Sequence, residues 1–290
     1  MPLTHTSTFK VRFYECDAYG HVNNTNYLRY MQEAALDASA AVGYDTKRYD
    51  ELGRAWYVHA TDINYLRPLK YGDTVEVTTW IQDCRRVSSR RAYELRSVHT
   101  GELVAKAMTD WAFLDTLTLK PAPIPPDLLL AFFPGGLPKE PVQREKFPVA
   151  PPAPDAAFHL RKRVQWREID GARHVNNAIY AEWAEECGIQ CIAHFNWPAT
   201  KAADLGVAII YRRMWIEYMQ AAKFDDEIEI MAWLSDIKRA TGMRHFTIMR
   251  LADGVTLARI NIFGVCANIQ TGLPTRWPPA MLADFAPNIA

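Results

Sequence analysis

Residues 17–34 read DAYGHVNNTNYLRYMQEA, and residues 170–187, 153 positions further on, read DGARHVNNAIYAEWAEEC. The same spacing holds well outside the motif. Tyr65 matches Tyr218, Lys70 matches Lys223, Asp73 matches Asp226, Trp80 matches Trp233, Gly101 matches Gly254 and Pro121 matches Pro274. PPDLLLAFFP at 125–134 likewise returns as PPAMLADFAP at 278–287. Local composition does not produce a register sustained over most of a domain, so the chain is two copies of one unit. Between the copies lies LPKEPVQREKFPVAPPAPDAA (137–157), rich in proline and without a hydrophobic period, which is expected to behave as a stiff extended spacer. The expected organisation is a first domain over 1–137, a linker over 138–157 and a second domain over 158–290. Two fused copies predict a pseudo-twofold internal dimer and leave open further pairing between such chains.

Each copy carries the same order of signals. A short alternating strand is expected at Thr8–Tyr14 and again at Leu160–Arg167, followed by the Asp…His…Asn-Asn turn and a helix of about 18 residues. In the first helix Tyr27, Tyr30, Met31, Ala34, Ala38 and Ala41 fall on one apolar face. The second presents Tyr180, Trp183, Ala184, Cys187 and Cys191. Four long β-branched and aromatic stretches follow in each copy. They are expected near 56–65, 74–84, 90–99 and 103–114, and near 207–218, 227–237, 243–251 and 256–268. The turn signals KYGD, HTGE and ADGV divide them as antiparallel hairpins require. One helix followed by a run of antiparallel strands predicts an α+β fold, a sheet packed around one helix.

Composition narrows the function. Of 290 residues, 49% are hydrophobic and 12% aromatic, enough for a packed core. Thirty-three basic residues balance thirty-three acidic ones, which argues against a dedicated nucleic-acid binder. No apolar run approaches the ~18 residues of a membrane span. The opening MPLTHTSTFK lacks the apolar core of a secretory signal, so a cytoplasmic location is expected. Five cysteines without a CxxC pair read as reduced thiols, and Cys187 and Cys191 as core residues rather than ligands; no metal and no cofactor is expected. Walker, GxGxxG and GxSxG motifs are absent, which turns the reading away from nucleotide hydrolysis, hydride transfer and serine esterases.

A strand, then D-x-x-G-H-V-N-N-x-x-Y opening a long helix, then Y-x-R-P-x-x-x-G-D before a strand, resembles the hotdog-fold thioesterases, in particular the 4-hydroxybenzoyl-CoA thioesterase-like and acyl-ACP thioesterase groups. The resemblance covers nearly the whole chain twice and implies a double hotdog. It also implies hydrolysis of an acyl-CoA or acyl-ACP thioester, with Asp17 and Asp170 as base or nucleophile and the backbone N–H near Asn24 and Asn177 as oxyanion donor. Where some relatives carry D-x-N-x-H, this chain has Tyr19 or Ala172 in place of the asparagine, leaving the aspartates with His21 and His174.

The residues support that chemistry independently. The first N–H groups of a helix lack intrahelical partners and carry partial positive charge, suited to an oxyanion. Asp17 and Asp170 lie several residues upstream of the helix start, too far for ordinary caps, whereas Asn23, Asn24, Asn176 and Asn177 carry a capping reading beside a substrate-binding one. His21 and His174 read equally as turn-stabilising or catalytic. Tyr27, Tyr30, Tyr180 and Trp183 are expected as core residues first, with lining of an acyl tunnel as a second reading. Gly20 suits a tight turn with positive φ, while the second copy has Arg173 there and Gly171 beside the aspartate, so the same turn is less assured in the second copy. The Arg85, Arg86, Arg90 and Arg91 cluster (RRVSSRR), with Lys238, Arg239 and Arg244 in the second copy, reads either as a site for CoA phosphates or an acidic carrier protein, or as a solvated hairpin tip. Two other functions fit the same fold: a hydratase or dehydratase of enoyl thioesters, and a non-catalytic acyl-thioester binder.

Overall fold

A computed structural model describes residues 2–137 and 142–290, and the chain divides into two compact units, Met1–Lys146 and Phe147–Ala290. The first unit contains β1 (Thr4–Lys10), α1 (Asn24–Ala41), α2 (Thr46–Leu52), β2 (Arg54–Tyr65), β3 (Thr74–Cys84), β4 (Ser88–Ser97), β5 (Leu103–Asp115) and α3 (Pro126–Phe132). The second repeats the series as β6 (Phe158–Arg163), α4 (Asn177–His194), α5 (Ala199–Asp204), β7 (Val207–Tyr218), β8 (Glu227–Ser235), β9 (Thr241–Arg250), β10 (Thr256–Asn268) and α6 (Pro279–Phe285).

Within the first unit the strands run antiparallel in the order β1-β3-β4-β5-β2, and within the second in the order β6-β8-β9-β10-β7. β1 and β2 therefore lie at opposite edges, and the long helix that joins them crosses one face of the sheet. Val75, Val77, Leu95, Ala105 and Ile63 on that face are buried, as are Tyr27, Tyr30, Met31, Ala34 and Ala38 of α1. The 3.6-residue period of the helix thus meets the two-residue period of the strands along one apolar seam. Ala41, expected on the same stripe, is exposed, because the helix ends there and Val42 is its C-cap. Bulges after Val58, Ile81 and Leu95 bend the first sheet around the helix.

The opening strands lie earlier than their alternation suggested. Phe13–Glu15 and Trp166–Glu168 form single 3-10 turns instead of strand ends, because Glu15 and Glu168 fold back onto the N–H of Arg12 and Gln165. Of the segment expected as a spacer, residues 138–141 lie outside the described residues. The remainder has no regular structure and is held by side chains. Arg144 pairs with Asp83 and with Asp110 (3.2 Å) in the first unit. In the second, Asn261 Nδ2–H donates to the Pro148 carbonyl (2.8 Å) and Asn288 Nδ2–H to that of Ala156 (3.1 Å).

Candidate functional site

The aspartate turn is built in the same way in both units. A one-residue bridge, Cys16 to Val22 and Ile169 to Val175, closes a small loop in front of the long helix. Inside it the Asp17 N–H donates to the His21 carbonyl (2.7 Å), and the Gly20 N–H donates to that of Asp17 (3.0 Å). The equivalent bonds in the second unit are Asp170 to His174 (3.1 Å) and Arg173 to Asp170 (2.9 Å). Gly20 sits at φ 76° and Arg173 at φ 63°, so the second copy keeps the turn although its residue carries a side chain. The turn that the second copy's sequence assured less is therefore made all the same: the flanking bridge and the helix cap fix the loop and hold arginine in the left-handed region.

The carboxylates face inward to the loop's own amides. Asp17 Oδ1 accepts the Tyr19 N–H (2.8 Å) and the His21 N–H (3.1 Å), and the residue is exposed. Asp170 is half-buried and spends both oxygens: Oδ1 accepts the Ala172 N–H (2.9 Å) and Oδ2 the Asn176 side-chain amide (3.1 Å). His21 and His174 are half-buried in the same loops, and His174 Nδ1–H donates to the Val175 carbonyl (3.1 Å).

Asn23 and Asn176 are the N-caps. Their side-chain oxygens accept the N–H of Thr25 and of Ala178, each at 2.9 Å, and their carbonyls accept the N–H of Asn26 and of Ile179, each at 3.0 Å. The cap thus serves the second and third helical amides. The first, those of Asn24 and Asn177, have no hydrogen-bond partner among the described residues. The carbonyls of Asn24 and Asn177 are fixed by Tyr65 Oη (3.1 Å) and Tyr218 Oη (3.0 Å), which hold the first turn and aim its amides.

Tyr27 and Tyr180 are buried and lock the loop that precedes the next strand. Tyr27 Oη accepts the Leu69 N–H (3.2 Å) and Tyr180 Oη that of Ala222 (2.8 Å). Burial pushes the Tyr180 hydroxyl up to about 12. Both stack edge-on against the tyrosines that hold the helix start, Tyr65 and Tyr218.

Glu15 and Glu168, which the motif reading did not single out, lie buried beneath each turn. Glu15 accepts from the Arg12 N–H (2.7 Å) and Tyr30 Oη–H (2.8 Å). Glu168 accepts from Trp183 Nε1–H (2.9 Å) and pairs with Lys162. Burial pushes the Glu168 carboxyl up, but the bonds from Lys162, Trp183 and Gln165 outweigh it and hold it below the ordinary carboxylate range. Their carbonyls accept the N–H of Asn23 (2.9 Å) and of Asn176 (3.0 Å), so each glutamate anchors a helix cap. The available signal was an identical acid at the same register of both copies, five residues after a strand end.

The arginine cluster does not form one patch. Arg85 and Arg86 are exposed at the β3–β4 turn, but Arg90 is spent in a two-bond pair with Asp110 (2.9 Å each) and Arg91 is buried on the face toward α1. Strand alternation sends neighbours 90 and 91 to opposite sides of β4. Arg244, the counterpart of Arg91, is also buried and donates to the Gly188 carbonyl of α4 (2.9 Å). All five cysteines are free, and Cys187 and Cys191 are buried. Among the described residues no group of three or more His, Cys, Asp or Glu is placed to hold a metal ion, and no helix is long and apolar enough to cross a membrane.

Comparison with known proteins accords with this geometry. The model of the thioesterase-like superfamily matches the chain twice, at residues 11–132 and 164–285. A chloroplastic acyl-[acyl-carrier-protein] hydrolase of Cuphea viscosissima is 27% identical over 196 residues, covering 63% of this chain and 47% of the relative. A chloroplastic palmitoyl-acyl carrier protein thioesterase of Gossypium hirsutum is 23% identical over 271 residues, 89% of this chain and 62% of its own. The chain thus spans about half to three-fifths of the length of these curated relatives. The solved 12:0-ACP thioesterase from Umbellularia californica aligns over 91% of this chain and 94% of its own with a TM-score of 0.73 at 21% identity, which establishes the double hotdog fold. Two matches in one register, each spanning the aspartate turn, the long helix and the sheet, make this chain a member of the thioesterase-like superfamily.

Proposed function

We propose that the chain hydrolyses an acyl thioester of CoA or of an acyl carrier protein. The observation that carries this reading is the unengaged amide of Asn24, and of Asn177, at the start of a capped helix, directly after a turn that holds an aspartate. The cap fixes the amide's direction, and the helix dipole adds positive charge where the thioester oxygen gains negative charge. Asp17 or Asp170 takes a proton from water as the water oxygen bonds to the carbonyl carbon, or bonds to that carbon itself. Collapse of the tetrahedral species breaks the carbon–sulfur bond: on the water route the thiolate leaves with the proton the aspartate took, and on the carboxylate route it leaves an acyl–aspartate anhydride, which water cleaves while giving its proton to the thiolate. Asp17 is the first candidate, because its hydrogen bonds among the described residues fall on Oδ1 alone, whereas both oxygens of Asp170 are occupied. The names of the acyl-ACP hydrolases among the relatives support the substrate class.

Thiol release from a panel of acyl-CoA and acyl-ACP esters tests the reading. Asp17→Asn is expected to lower kcat by about 10²–10⁴-fold, with Asp170→Asn weaker. Unchanged release in both variants and in the double variant removes the aspartate mechanism. Hydration of an enoyl-CoA without thiol release would instead identify a hydratase.

A further inference from the structure

The face of the first sheet that carries α1 contains a cross-strand row, Thr61–Thr109–Arg91–Ile81, on β2, β5, β4 and β3. The same row in the second unit is Met214–Ile262–Arg244–Leu234. Both arginines are buried, but their surroundings differ. Arg244 is anchored on the Gly188 carbonyl, where a Cβ would come within 3.3 Å of the guanidinium. The first helix has Ala35 at the position of Gly188, and among the described residues no hydrogen bond joins Arg91 to its carbonyl. Among the described residues Arg91 makes one long hydrogen bond, to Thr79 Oγ1 (3.4 Å), and lies 5.4 Å from the Phe132 ring; no carboxylate pairs with it. It is 6% exposed, and burial pushes the guanidinium below its ordinary value.

The neighbours on this face have become polar as well. Thr61, 3% exposed, has a buried hydroxyl without a hydrogen-bond partner among the described residues. Tyr93 Oη and Thr109 Oγ1 lie 3.0 Å apart where the second unit has Phe246 and Ile262. A buried cation without an anion is unfavourable, and it is offset when a ligand supplies the missing acceptor. Tyr65, which holds the start of α1, is on the same face as Thr61 and four residues along β2, about 13 Å away. A polar interior therefore begins a medium acyl chain's length from the helix start.

Building on the thioesterase reading, we propose that the first unit accepts acyl thioesters whose far end carries an oxygen function, a carboxylate before a hydroxyl, received by Arg91. The buried guanidinium supplies two parallel N–H donors to such a carboxylate, and the Thr61 hydroxyl lies on the same face. A plain hydrocarbon end leaves both unpaired, so the site discriminates against it.

The test compares kcat/KM for CoA monothioesters of saturated, ω-hydroxy and ω-carboxy acids across several chain lengths. The ω-carboxy ester is expected to lead the saturated one of equal length by at least about tenfold, with the ω-hydroxy ester between them. Arg91→Met is expected to abolish or invert that ratio, and Arg91→Lys to retain part of it. Equal or saturated-favouring rates in the wild type at every length overturn the inference while leaving the thioesterase reading intact. A ratio unchanged in a folded Arg91→Met variant does the same. If that variant does not fold, the wild-type ratio and Arg91→Lys decide: a reduced or lost preference in Arg91→Lys supports the assignment, and an undiminished preference overturns it. Absence of thiol release from every ester, wild type included, overturns the thioesterase reading first and this inference with it.

Discussion

Arg173 carries the clearest trace of duplication at the scale of single residues. Its counterpart Gly20 adopts a positive φ at no steric cost, whereas Arg173 holds φ 63° because the loop around it is tied at Asp170, His174 and Val175. The left-handed conformation costs a side-chain-bearing residue roughly 1–2 kcal/mol, partly offset by the greater freedom glycine loses on folding. Arg173→Gly is therefore expected to raise stability by about 1 kcal/mol, measured as a shift in the urea midpoint without a change in slope. Gly20→Arg is expected to do the reverse by a similar amount. The sequence exposed this position, since Gly20 and Arg173 share a register. It did not say which would yield, because that depended on how firmly the bridge and the cap hold the loop.

At the scale of elements, the two long helices have the same length, 18 residues, and the same cap. Asn23 and Asn176 each satisfy a first-turn amide and bring the turn against the buried glutamate's carbonyl. Asn23→Ala and Asn176→Ala are each expected to cost about 1 kcal/mol, read from thermal or denaturant unfolding. The same changes are expected to lower thiol release by misplacing the adjacent amide. The capping reading of Asn23 and Asn176 was legible from their place before an apolar period. Asn24 and Asn177 proved to be the next residues in, with side chains outside the cap and amides unspent. The short helices α2 and α5 were missed, since neither spans enough residues for a period to be read.

At the scale of the whole molecule the copies agree in topology and diverge in their interiors. The second unit buries a network that the first lacks. Ser235 Oγ lies 2.7 Å from His245 Nε2, and His245 Nδ1 lies 2.6 Å from Asn261 Oδ1; Asn261 in turn holds the Pro148 carbonyl. The first unit has Gln82, Ala92 and Met108 at these registers. Burial pushes the His245 pKa below its ordinary value, against the Asn261 hydrogen bond and the Asp236 charge. The unfolded chain therefore binds this proton more readily than the folded one. The stability contribution is complete above the unfolded value of about 6.5 and is lost as pH falls through the folded value. Thermal midpoints measured between neutral and mildly acidic pH are expected to fall in the wild type. The fall is expected to be shallower in His245→Ala, which places the first unit's residue at this register.

The sequence by itself determined the duplication, the order of elements and the aspartate turn before a capped helix, because these rest on spacing and on local backbone chemistry. A residue's neighbours within its own turn follow from its position in the chain, so the Asp17 and Asp170 loops were readable in outline. Only the tertiary structure decided which polar groups are buried and whom they meet. Four arginines adjacent in sequence became an exposed turn, a paired surface and a buried cation, since strand alternation and cross-strand register send neighbours to opposite faces. The glutamates under the caps reach Tyr30 and Trp183, 15 residues further on, and the polar row beneath α1 joins Thr61 to Thr109, more than 40 residues apart, contacts that no local pattern encodes.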